Sequence, residues 1–94
     1  MADNDLPGGA ESPLEFPAEF PIKMMGRDEP AFHDAAREII QRHAGDTADD
    51  AWRQALSKNA NYVSVTVTIT ATSQEQLDNI YRELSAHEEI LVAL

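Results

Sequence analysis

The sequence contains no cysteine. That removes disulfide staples, thiolate metal sites and a cysteine nucleophile together, and it agrees with a reducing compartment. Basic residues are scarce as well. Lys and Arg number 7 against 17 Asp and Glu, a formal charge of −10. They are scattered along the chain, whereas nucleic-acid binders cluster Lys and Arg to neutralise phosphates. Neither nucleic acid nor an anionic membrane surface is therefore an expected partner, and the acidic charge reads most simply as solubility. No apolar run approaches the roughly 20 residues of a membrane span. The opening Met1-Ala2-Asp3-Asn4-Asp5 has neither the basic nor the apolar region of a signal peptide. The expectation is a cytoplasmic protein.

What is present describes one domain. The chain has 94 residues, 43% of them hydrophobic, enough for one core and too many for wholesale disorder. A domain this small buries only about 60% of the surface its unfolded chain exposes, so the core must be efficient. Residues 1–13 hold Pro7, Gly8, Gly9 and Pro13 among small and acidic residues without an apolar period. They read as a disordered acidic tail. The folded domain is expected over 14–94.

Within it, Phe20, Ile22 and Met24 alternate with Pro21, Lys23 and Met25, the period of a strand over Glu19–Gly26. Gly26-Arg27-Asp28-Glu29-Pro30 breaks it. Gly26 permits a positive φ, and Asp28 is placed to cap a helix with Pro30 in its first turn. That helix should run to Ala44, burying Phe32, Ala36, Ile39, Ile40 and His43, with Gly45 ending it. Ala51–Lys58 reads as a second strand with Trp52, Gln54 and Leu56 on one face, although a turn of helix is an alternative there. Asn59-Ala60-Asn61 makes a hairpin to Tyr62–Thr72. In that third strand Val63, Val65, Val67, Ile69 and Ala71 alternate with Ser and Thr, a β-branched pattern suited to a pleated surface. Ser73 and Gln76 form a capping box for a helix whose buried stripe is Leu77, Ile80, Tyr81 and Leu84, ending near His87. Glu88–Leu94 reads as a last strand with Ile90, Val92 and Leu94 facing the core. The order β-α-β-β-α-β predicts an α+β, ferredoxin-like sandwich, two helices on one face of a four-stranded antiparallel sheet. The other face, carrying Lys23, Met25, Ser64, Thr66, Thr68, Thr70 and Leu91, is polar enough to meet water.

Several stretches then become recognisable: Leu14-Glu15-Phe16-Pro17 before Phe20, Lys23-Met24-Met25-Gly26, Ile39-Ile40-Gln41-Arg42-His43, Asn61-Tyr62-Val63-Ser64-Val65, and Tyr81 with Leu84 and Leu94. Through their order and spacing the chain resembles the YbeD-like family, a UPF-type family of small bacterial proteins of unknown function. One departure is Ala60, where the family usually has glycine. The resemblance implies a ferredoxin-like fold close to the small-molecule-binding ACT regulatory domains. It brings no established activity and no catalytic residues.

Function has to be argued from sites, because this fold hosts many. RNA recognition on it stacks bases on strand aromatics, but the open face of the third strand offers Ser and Thr. Acylphosphatase-like chemistry needs a glycine-rich phosphate cradle, and Asp28 and Glu29 beside Arg27 would oppose a phosphate. His33 and His43 lie ten apart on one helix and His87 ends the other. His43 and His87, near helix C-termini, are expected to cap or to pack at an edge. Glu88-Glu89 reads as a solvated turn. No catalytic residue, metal site or cofactor is expected. By analogy with ACT-like domains, a small ligand such as an amino acid would sit at Gly26, Arg27 and Asp28. Gly26 would admit it to the backbone, Arg27 and the helix N-terminus would take its carboxylate, and Asp28 its amine. The same residues serve equally as a turn and a cap. Two readings stand: a non-enzymatic regulatory or adaptor domain binding a metabolite, a protein partner or both, and a protein-interaction module using its sheet edges, with a homodimer among its outcomes.

Overall fold

The computed structural model describes residues 15–57 and 61–94. The tail expected over 1–13, the domain start at Leu14, the end of the second strand at Lys58 and the turn at Asn59-Ala60 lie outside the described residues. The elements are β1 (Ala18–Arg27), α1 (Pro30–Ala44), a single 3-10 turn (Asp49–Ala51), β2 (Trp52–Leu56), β3 (Tyr62–Ala71), α2 (Gln74–Ala86) and β4 (Val92–Ala93). The strands form one antiparallel sheet in the order β2-β3-β1-β4. This is the expected ferredoxin-like arrangement.

The centre of the sheet follows from the alternation. β1 and β3 pair in an unbroken register from Ala18 opposite Ala71 to Arg27 opposite Tyr62. Ile22 and Met24 on β1 and Val63, Val65, Val67, Ile69 and Ala71 on β3 point inward and are buried. Both helices lay their stripes on that face: Phe32, Ala35, Ala36, Ile39 and Ile40 from α1, Leu77, Ile80 and Leu84 from α2. Burying each large apolar side chain contributes about 1.5–3 kcal/mol. No polar or charged residue is buried among the described residues.

The helix ends differ in how they are held. Ser73 caps α2, its Oγ accepting from Gln76 N at 3.0 Å. The Gln76 side chain does not close the box onto Ser73. Its Oε1 accepts from Thr72 N at 2.7 Å and its Nε2 donates to the His43 carbonyl at 2.9 Å, tying the start of α2 to the end of α1. Gly45 ends α1 at φ 77°, where a Cβ would be strained. At the start of α1 the N-cap is Glu29, without a side-chain cap bond. Asp28 lies one residue too early, and its carboxylate meets His33 instead, 2.8 Å from Nε2.

Two strand expectations are corrected. β2 begins at Trp52, because Asp49–Ala51 coils into the 3-10 turn that closes on the Trp52 N–H. β4 is only two residues long, and its phase is shifted. Ile90 N–H donates to His87 O at 3.1 Å, and this turn tucks Ile90 into the core before the strand begins. Ala93, opposite Met24, then faces inward. Val92, opposite Met25, and Leu94, bonded both ways to Lys23, face the open side. A one-residue slip in a period-two pattern exchanges every side chain between faces.

Candidate functional site

The first loop, Gly26, Arg27 and Asp28, is built mainly for structure. Gly26 is not in a left-handed turn. It is a buried strand residue paired with Val63. A Cβ there would collide with the Phe32 ring and lie 2.7 Å from Glu89 O. The glycine therefore lets α1 and the turn before β4 close over the end of β1, and its exposed approach is filled by protein. Arg27 is exposed, with its guanidinium carbon 5.7 Å from the centre of the Tyr62 ring, a distance at which a cation is attracted to the ring face. Asp28 donates its N–H to Asn61 O at 3.2 Å and gives its carboxylate to His33. In the first turn of α1, Pro30 has no N–H and the Phe32 N–H is taken by Glu29 O. Of Gly26, Arg27 and Asp28, the structure buries Gly26 and leaves the other two exposed, Asp28 engaged by His33 and Arg27 beside the Tyr62 ring.

A charged cluster that sequence reasoning missed joins the two helices. Glu83 on α2 receives a hydrogen bond from Arg42 and lies 2.6 Å from His43 Nε2. The hydrogen bond from Arg42, reinforced by His43, holds the Glu83 carboxyl below the usual carboxylate range, and the same bond raises Arg42. Arg42 and His43 were visible in the last turn of α1, but their partner lies some forty positions away. Only the packing of the helices reveals it. His87 ends α2, and its Nδ1 accepts from Glu89 N at 3.1 Å, which organises the turn into β4.

The sheet's outer strands form the other candidate region. The large apolar side chains exposed among the described residues are Leu56, Tyr62, Leu91, Val92 and Leu94. All lie in or beside β2, β3 and β4, and none lies on a helix. Most gather where β1 ends, since Tyr62 is opposite Arg27, Val92 opposite Met25, and Leu56 opposite the Val63 that pairs with Gly26. Two of the shallow cavities beside β2 bear on this region. One, of about 150 Å³ between α1 and β2, is lined by His33, Arg37, Trp52 and Gln54 among others. There the Trp52 Nε1–H donates to Thr47 Oγ1 at 2.7 Å, and the Arg37 guanidinium lies 4.5 Å over the indole. The second, of about 200 Å³ on the open face, is lined by Lys23, Arg53, Gln54, Ala55, Ser64 and Thr66. Among the described residues no group of three His, Cys, Asp or Glu side chains is placed to hold a metal ion, and no helix is long and apolar enough to cross a membrane.

Comparison with known proteins agrees with this geometry. A solution structure of protein HP0495 from H. pylori superposes with a TM-score of 0.70 at 14% identity, covering 98% of both chains. At that identity the likeness speaks for the fold. A UPF0250 protein of Leptothrix cholodnii is 45% identical over 84 residues, 89% of this chain and 92% of that one. A UPF0250 protein of Neisseria gonorrhoeae is 43% identical over 81 residues, 86% of this chain and 89% of that one. The family model described as "Protein of unknown function (DUF493)" matches residues 11–94, and the chain belongs to that family.

Proposed function

We propose that this chain is a cytoplasmic, non-enzymatic adaptor: a protein-interaction module that engages its partner through the edges of its sheet. The observation that carries this reading is the placement of the exposed apolar side chains. Leu56, Leu91, Val92 and Leu94 flank the two outer strands, while the solvent faces of both helices carry none among the described residues. An outer strand presents unpaired backbone N–H and C=O groups, and an apolar margin beside them gives an added strand something to bury. Nucleic acid and membrane have no place in this reading. Site-specific photocrosslinking in cells tests it. A benzophenone side chain at Leu56 or Val92 is expected to trap a protein, and one at Asp78 on α2 is not. Crosslinks from Asp78 alone would refute the reading.

A second reading is a regulatory, ACT-like domain binding a small metabolite such as an amino acid at Gly26, Arg27 and Asp28. The observation favouring it is the exposed Arg27 guanidinium beside the start of α1. Against it stand the closure over Gly26 and the pairing of Asp28 with His33. Calorimetric titration with amino acids decides: saturable heat that disappears in Arg27→Ala supports this reading, and no heat from any of them removes it.

A further inference from the structure

We infer that the β2 edge binds an extended, acidic segment of a partner protein as an added strand, a carboxylate lying over Arg53 on the face where Lys23 adds positive charge. This inference rests on the sheet-edge reading and names the chemistry of the partner.

The backbone of β2 fixes how a strand could add. Ser57 N donates to Tyr62 O at 2.9 Å. Along an antiparallel strand the direction of the backbone groups alternates. Ser57, Ala55 and Arg53 therefore turn their N–H and C=O toward β3, and Leu56, Gln54 and Trp52 turn theirs outward. The Trp52 N–H is already closed onto Asp49 O. Gln54 and Leu56 remain as the residues whose backbone faces an incoming strand.

The side chains fix what that strand should carry. Arg53 is opposite Thr66, and Thr66 is opposite Lys23. These residues form one row across the open face, with a cation at either side of a threonine. The same row continues to Leu94 on β4. In a chain of formal charge −10, this open-face row gathers positive charge, and the cavity of about 200 Å³ lies between its members. On the opposite side of β2 the margin is Trp52, Gln54 and Leu56, beside the cavity of about 150 Å³. Asp49 sits at the Trp52 end of that cavity and would repel a carboxylate there. An added strand with acidic side chains on the open face and apolar ones on the helix side satisfies both margins. A second copy of this chain pairing through its own β2 does not, because Trp52–Leu56 carries no acidic residue to place over Arg53.

The sole tryptophan, Trp52, stands at the start of this edge and reports on it directly. The full chain is titrated, with fluorescence readout, against a capped peptide alternating glutamate and valine and against its lysine–valine counterpart. Saturable change with the glutamate peptide and none with the lysine peptide is expected. Arg53→Glu should weaken binding about fivefold, the size of reversing one or two cross-strand charge pairs. Gln54→Pro should abolish it while leaving the β2–β3 ladder intact, since the lost N–H points outward. Circular dichroism establishes that both variants stay folded. Equal response to the two peptides, no saturable response, or binding indifferent to Arg53→Glu would overturn the inference. Concentration-dependent self-association that is lost in Gln54→Pro, without peptide binding, would also overturn it in favour of a second copy, and would leave the sheet-edge reading standing. Loss of the crosslinks at Leu56 and Val92 would remove that reading as well.

Discussion

The central and outer strands of this sheet are made for different purposes. β1 and β3 pair over their full length, and their helix-facing residues from Ile22 to Gly26 and from Val63 to Ala71 are buried. β2 and β4 are short, and their residues are mostly exposed. β3 is held by unbroken alternation of β-branched and polar residues. The edges are interrupted by the 3-10 turn before Trp52 and the tight turn before Ile90. Stability therefore resides in the centre, and the margins are free to be used.

Substitutions can break or sharpen that contrast. Ile22→Ala, in the fully buried middle of β1, should cost about 3 kcal/mol in urea unfolding, the usual size for removing such a side chain and leaving a cavity. Gly26→Ala should cost about 2 kcal/mol, because the new methyl must displace the Phe32 ring or the Glu89 carbonyl. A neutral Gly26→Ala would mean that the end of β1 is looser than described, and would reopen the first loop to a ligand. Glu83→Gln should cost under about 1 kcal/mol at neutral pH, since water screens a pair this exposed. Its signature is pH dependence. The folded Glu83 carboxyl lies below its unfolded value, so the stabilisation is complete above the unfolded value and fades as pH falls through the folded one. The wild type should lose this increment in acid, and Glu83→Gln should lack it throughout. Smallest of all, Leu56→Ser and Val92→Ser should change thermal stability by less than about 0.5 kcal/mol. Large destabilisation by either would show that the edges belong to the core after all.

Most of the fold was readable from periodicity. Val63 to Ala71 could only be a half-buried strand, and the helix stripes were placed correctly except that Ala35, whose small side chain weakens the signal, joins the core, while His43 and Tyr81 stay half-buried at its edge, His43 because it turns to Glu83. β4 was misread because its pattern assumes a strand beginning at Glu88, whereas the turn at His87–Ile90 resets the phase. Asp28 was misplaced as a cap because a carboxylate one residue too early looks the same in sequence, and its attraction to His33 appears only once α1 is formed. Gly26 read as a turn because a glycine's freedom is visible in sequence and the ring packed against it is not. The Arg42–His43–Glu83 cluster and the row of Lys23, Thr66 and Arg53 depend on packing and strand register, which no local pattern encodes.

Amide chemical-shift mapping with the glutamate–valine peptide compares the two candidate regions in a single experiment. The account predicts perturbations running along Trp52–Leu56 and across to Thr66, with Gly26 to His33 unchanged. Perturbations confined to Gly26–His33, with a silent β2 edge, would contradict it.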